Sequence, residues 1–231
     1  MKKNYKNLIY IFLLIFIAIV STVNAGGVAL GATRIIYAMD ARETALQITN
    51  SDTENKFLIQ SWVESGDGKK SSDFVVTPPL FVIKPNSENT LRITYVGQDL
   101  PQDRETLYWL NSKSIPSIDY SKIQDINVLQ IAILSRIKLF VRPANLAVSY
   151  DDAAQQLIFK KQDDHHVIVE NNSPYFITLV NLKIREKELS SIMVPPKDQV
   201  LLAVPYMAEH ISYQTINDYG ARTPLATVII Q

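Results

Sequence analysis

The stretch from Val128 to Pro143, VLQIAILSRIKLFVRP, constrains this chain more than any other part of it. Every second residue reads Leu129, Ile131, Ile133, Ser135, Ile137, Leu139 and Val141, and six of these seven are apolar. That period of two marks one face of a β-strand, because successive side chains leave opposite faces of the backbone. The other face carries Gln130, Arg136, Lys138 and Arg142 beside Leu134 and Phe140. A strand of this length exceeds the usual range of roughly three to ten residues, and an apolar strand at a sheet edge invites pairing with another chain. Further strand candidates precede it: Val28–Tyr37, Ala45–Thr49, Lys56–Val63, Asp73–Val76, Leu80–Ile83, Thr90–Tyr95 and Thr106–Leu110. Turn formers separate them, as in Asn50-Ser51-Asp52, Ser65-Gly66-Asp67-Gly68 and Pro85-Asn86-Ser87. Short strands with turn signals every ten residues or so specify a sandwich or barrel rather than βαβ units. No stretch of a dozen residues has a helical period.

After Arg142-Pro143-Ala144-Asn145 the pattern restarts. Gln156–Lys160, Val167–Glu170, Tyr175–Ile184, Ile192–Val194, Val200–Val204, Ile211–Ile216 and Ala226–Gln231 form a second, shorter set of candidates. Proline cannot extend a central strand, so a domain boundary is expected near 143–147, with residues 26–144 and 145–231 as two sandwiches in tandem. Residues 1–25 read as a secretory signal peptide cleaved after Ala25. Lys2, Lys3 and Lys6 precede an apolar run of 13 residues, Leu8–Val20, and Val23-Asn24-Ala25 ends in small residues. Such a run is short of the roughly 20 residues needed to span a bilayer. The expectation is an exported chain with no membrane insertion of its mature part.

Removing that segment leaves 20 basic and 23 acidic residues, a formal charge of −3. This speaks against a nucleic-acid binder, which needs a basic excess or stripe. There is no cysteine, so an exported chain of this kind relies on its hydrophobic cores, and thiol and Cys-ligated metal chemistry are excluded. The sequence has no GxSxG elbow, no P-loop and no HExxH. Asp163-Asp164-His165-His166 lies between two strand candidates and reads as a polar turn rather than a metal site. Asn171-Asn172-Ser173, a formal glycosylation acceptor followed by Pro174, also reads as a turn. We expect no enzyme, no metal and no cofactor.

One segment is far more specific. Residues 100–117 read LPQDRETLYWLNSKSIPS, and Leu100, Pro101, Asp103, Arg104, Glu105, Thr106, Leu107, Trp109, Asn111, Ile115, Pro116 and Ser117 stand at the positions of a signature. It resembles that of the periplasmic pilus-assembly chaperones of the chaperone–usher pathway, the PapD-like family; Ser112 departs from it where the family has an aliphatic residue. Other segments agree in order: Val28–Tyr37 with its Thr-Arg pair, Thr77-Pro78-Pro79, the opening stretch, and Asn217-Asp218-Tyr219-Gly220. Gly31-Ala32 departs, where the family often has a polar or acidic residue and Arg. The segment between Pro116 and Asn127 lacks the cysteine pair of the long-loop subclass, which favours the short-loop subclass.

The resemblance implies an all-β fold of two immunoglobulin-like sandwiches set at an angle around a cleft. It implies that Arg34 and Lys138 bind the C-terminal carboxylate of a pilus subunit, and that Leu129, Ile131 and Ile133 fill the subunit's groove by donor-strand complementation. It places Glu105, Arg142 and Asp218 in a charged cluster between the domains. The partners it implies are pilus or fimbrial subunits and an outer-membrane usher, in the periplasm; self-association of the free chain through its apolar strand stays open. No role is assigned to Arg136. The alternative is a secreted structural or adhesive protein of two immunoglobulin-like domains, which would bind through loops at a domain tip.

Overall fold

In the computed structural model, which describes residues 26–117 and 129–231, Leu46, Ile48, Ile59, Leu91, Ile93, Leu110 and Leu139 gather into one buried core. The strands around it are β1 (Val28–Leu30), β2 (Arg34–Ala38), β3 (Thr44–Asn50), β4 (Phe57–Ser65) and β5 (Phe74–Thr77). They continue with β6 (Leu80–Ile83), β7 (Ser87–Tyr95), β8 (Thr106–Pro116) and β9 (Ile133–Arg142). Two sheets result, in the orders β1-β3-β7-β5 and β2-β9-β8-β4-β6, and the β2–β9 pair is parallel. Alternation explains the layering. Tyr108, Leu110, Ser112 and Ser114 of β8 are buried, and so are Ile59, Ser61 and Val63 of β4. Ser112, unusual for the signature, is buried and its hydroxyl oxygen accepts from the Ser61 hydroxyl at 3.3 Å, which gives both buried groups a partner.

A second core holds Phe159, Val167, Val169, Ile177, Leu179, Leu182 and Ile211. A four-residue helix, α1 (Tyr150–Ala153), leads into it, capped by the Ser149 side chain. The strands are β10 (Leu157–Lys161), β11 (His166–Asn171), β12 (Ile177–Ile184), β13 (Lys187–Glu188), β14 (Ile192–Val194), β15 (Asp198–Ala203), β16 (His210–Thr215) and β17 (Ala226–Ile229). One sheet runs β10-β11-β15; the other runs β13-β12-β16-β17, with β14 also on β12. The molecule is thus all-β in two sandwiches, as the pattern of strands and turns led us to expect.

Two expectations change. Val28–Tyr37 is not one strand: β1 pairs with β3 in one sheet, and β2 pairs with β9 in the other. The crossing falls at Gly31, where a Cβ would lie 3.2 Å from the Gln47 carbonyl oxygen, so the chain passes close to β3 and a side chain would fit only if β3 gave way by a few tenths of an ångström. The long apolar stretch also enters its ladder late. β9 begins at Ile133, and Leu129 to Ala132 lie outside any strand. The Asp163–His165 run forms the β10–β11 turn, held by Asp163 accepting from the His165 N–H at 2.7 Å. Asn171 is buried, and its amide donates to the carbonyls of Tyr175 and Pro195, so it ties the turn before β12 in place. The signal-peptide reading and the segment between Pro116 and Asn127 fall outside the described residues, apart from Ser117.

Candidate functional site

The functional geometry grows from the parallel β2–β9 pair. Its register sets Arg34 directly beside Lys138, and antiparallel pairing sets Lys138 beside Trp109 of β8. These three residues therefore share the face of the sheet turned away from the domain's own core. Both cations reach across to the second sandwich. Arg34 donates from one guanidinium nitrogen to the Ile216 carbonyl at 3.1 Å, and the Lys138 ammonium donates to Thr178 Oγ1 at 2.9 Å. The sandwiches thus meet at a cleft with two adjacent positive charges in it. Burial holds the Lys138 ammonium down to about 8, with repulsion from Arg34 as the second cause. Burial also lowers Arg34, whose Nε has no hydrogen-bond partner among the described residues. Two cations so placed, neither ion-paired with a carboxylate among the described residues, favour an external anion.

Carboxylates lie close by, but another cation holds them. Arg142 Nε donates to Glu105 at 2.7 Å, and its two terminal nitrogens donate to Asp218 at 2.6 and 2.7 Å. Glu105 is almost wholly buried and also accepts from the Phe176 N–H at 2.8 Å. Burial pushes the Glu105 carboxyl up, opposed by Arg142, whereas hydrogen bonds to Asp218 and Glu105 outweigh burial and hold Arg142 above its ordinary value. The guanidinium packs over the rings of Tyr150 and Tyr175, 5.4 and 4.9 Å from their centroids. Glu105 and Arg142 come from the first sandwich and Asp218 from the turn after β16, so the network joins the two domains.

The described part of the apolar stretch divides in two. Leu139 and Val141 are fully buried in the first core, and Ile137 packs against it. Leu129, Ile131 and Ile133 are 84%, 65% and 62% exposed. The topology gives the reason. β8 pairs with β9 along Ile133–Val141, but β2 covers only Lys138–Arg142 on the other edge. Among the described residues, nothing pairs with the β2-side edge of Ile133–Ile137.

Several contributors were not read from the sequence. Thr178, Phe176 and the Ile216 carbonyl belong to strands or turns whose alternation announces only a core or a bend. Phe140, on the nominally charged face of β9, is buried with its ring 5.6 Å from that of Phe176 across the domain boundary. Arg136 stacks 4.3 Å from the Trp109 centroid and pairs with Glu64 at 3.1 Å, so it braces β9 against β8 and β4.

Two immunoglobulin-like sandwiches around a cationic cleft, with an open apolar strand edge leading to it, define a class of protein built to hold a strand of another chain. Residues 27–147 match the family described as pili and flagellar-assembly chaperone, PapD N-terminal domain, and residues 152–227 match pili assembly chaperone PapD, C-terminal domain. The chain belongs to this family of pilus-assembly chaperones. It is 46% identical over 221 residues to the probable fimbrial chaperone SfmC of Escherichia coli (strain K12), covering 94% of this chain and 96% of that one. It is 47% identical over 207 residues to the chaperone protein FimC of the same strain, covering 89% and 85%. The crystal structure of the periplasmic chaperone SfaE matches with a TM-score of 0.78 at 42% identity, over 88% of this chain and all of that one. A chain of the Salmonella enterica SafA pilin–SafB chaperone complex matches with a TM-score of 0.81 at 29% identity, over 90% and 98%.

Proposed function

We propose that this chain is a periplasmic chaperone that captures pilus subunits by lending them a strand, and passes them to an outer-membrane usher without a catalytic step. Residues 1–25 are its cleaved signal peptide, 26–144 the capturing domain and 145–231 the second wall of the cleft. The observation that carries the reading is the vacant edge of β9 ending at the Arg34–Lys138 pair.

An incoming strand laid along Ile133–Ile137 extends the five-stranded sheet on the side of β2. Its far end meets Arg34, where β2 begins. If that end is the carboxyl terminus, the guest runs in the same direction as β9, toward residue 138. The parallel sense follows from where the cations stand. Arg34 and Lys138 then each donate a charge-assisted hydrogen bond to the carboxylate, worth about 1.5–3 kcal/mol apiece. Leu129, Ile131 and Ile133 enter successive pockets of the guest's open core at about 1.5–3 kcal/mol each, before the ordering costs of association. The Glu105–Arg142–Asp218 network fixes the angle of the cleft so that both sets of contacts form together.

The test is co-expression with the pilus subunits encoded beside this gene. The wild-type chain should bring down a soluble one-to-one complex, while Arg34→Ala and Lys138→Ala should lose it yet elute as folded proteins. Normal complexes with both variants would defeat the carboxylate assignment.

A further inference from the structure

Among the described residues, two buried side-chain polar atoms lack a hydrogen-bond partner: Arg34 Nε and Asn111 Oδ1. The first is a donor beside the proposed carboxylate. The second is an acceptor, and the proposed function gives it nothing to do. Asn111 is 1% exposed and lies on β8 directly opposite Arg136, which makes Lys138 its diagonal neighbour on the same face, within about 8 Å. The Asn111 amide nitrogen is held by a long bond to the Trp109 carbonyl at 3.4 Å, which leaves Oδ1 as the free end of the side chain. Lys138, for its part, uses one of its three N–H donors, on Thr178 Oγ1.

We infer that Asn111 is a positioning residue for Lys138: when a guest carboxylate binds the ammonium in the cleft, Asn111 Oδ1 accepts its remaining N–H. Lys138 is then held by Thr178 and Asn111 while it donates its third hydrogen to the carboxylate. All three ammonium donors are thereby satisfied in a buried place, which an ammonium with one partner is not. The other charged and titratable groups around Lys138 leave this role open. Arg34 on β2 is a cation, Arg136 on the same strand is committed to Glu64 of β4, and the Tyr150 hydroxyl donates to the Ile216 carbonyl. Thr178 is the acceptor from the second domain, and none of these groups supplies another.

The inference rests on the carboxylate reading of the cleft, and the experiment separates the two. Binding of a synthetic peptide matching the last strand of a co-encoded subunit is measured with a free carboxylate and with a C-terminal amide. Asn111→Leu should weaken the carboxylate peptide by about five- to tenfold, leave the amide peptide nearly unchanged, and have no further effect in a Lys138→Met background. An equal loss in that background would mean that Asn111 serves only the fold, and would overturn the inference. If Lys138→Met alone binds like the wild type, the carboxylate reading fails first and takes this one with it. Asn111→Asp, nearly isosteric and so less disturbing to β8, gives an independent readout. It should raise the pH midpoint at which capture is lost in alkali by about one unit or more, and an unmoved midpoint would also overturn the inference.

Discussion

At Lys138, burial and the neighbouring guanidinium of Arg34 hold the ammonium down to about 8, well below its ordinary 10.5. Below pH 8 the group is charged in both the free and the carboxylate-bound protein, so its contribution to capture is constant. Above pH 8 the free protein loses the proton and must regain it on binding, so affinity falls by up to about tenfold per pH unit until the bound form also titrates. Isothermal titration of a carboxylate-terminated subunit peptide between pH 7 and 10 should show this fall. Lys138→Met, weaker throughout, should show none in the window assigned to this group. Part of this residue chemistry was legible beforehand: the cations at 34 and 138 stood out by motif. Thr178 did not, since a threonine in an alternating strand looks the same whether it faces a core or a lysine from another domain.

Within β9, the two halves of one apolar pattern meet different surroundings. Leu139 and Val141 are enclosed by their own sandwich, whereas Ile131 is 65% exposed and precedes the ladder. Ile131→Asp should therefore leave stability within about 0.5 kcal/mol in urea unfolding, as exposed substitutions do, while abolishing subunit capture. Marked unfolding of this variant would place Ile131 in the protein's own core. Leu139→Asp, in contrast, should prevent folding of the first domain, because it buries an unpaired charge. The alternation over residues 129–141 is interrupted only at Ser135, and one serine does not say which half is embedded. The boundary comes from Arg34, where β2 starts and stops covering the edge. In the same way, the signature-like run Val28–Tyr37 hides a change of sheet at Gly31 that appears only in the pairing of β1 with β3 and of β2 with β9.

For the whole molecule, the angle between the sandwiches depends on contacts that no single domain contains. Removing Arg142 would leave Glu105 buried without its counter-ion, and Arg142→Ala should cost about 3–5 kcal/mol in urea unfolding together with loss of subunit capture. A loss of less than about 1 kcal/mol would mean that the network stays wet and sets no angle. Gly220 supplies a second test. It has φ +81, and a Cβ there would sit 2.1 Å from Thr33 Oγ1, so the turn after β16 rests directly on the first domain. Gly220→Ala should thus weaken capture, because alanine is strained at this φ and its Cβ would displace the Thr33 hydroxyl, and small-angle scattering should register a changed interdomain arrangement.

What the sequence determined by itself was the repertoire: two sets of short strands, a period-2 stretch too apolar for its length, a motif with its charges at fixed spacing, and the absence of cysteine. Those are local properties, set by the backbone period and by turn chemistry, and they are readable wherever the chain runs. Tertiary structure alone decided which apolar residues stay uncovered, which carbonyls and hydroxyls meet the cations, and that Arg136 braces a strand. Each of these depends on strand order and register between segments as far apart as Arg34 and Ile216, and a linear pattern carries no term for which partner will be absent.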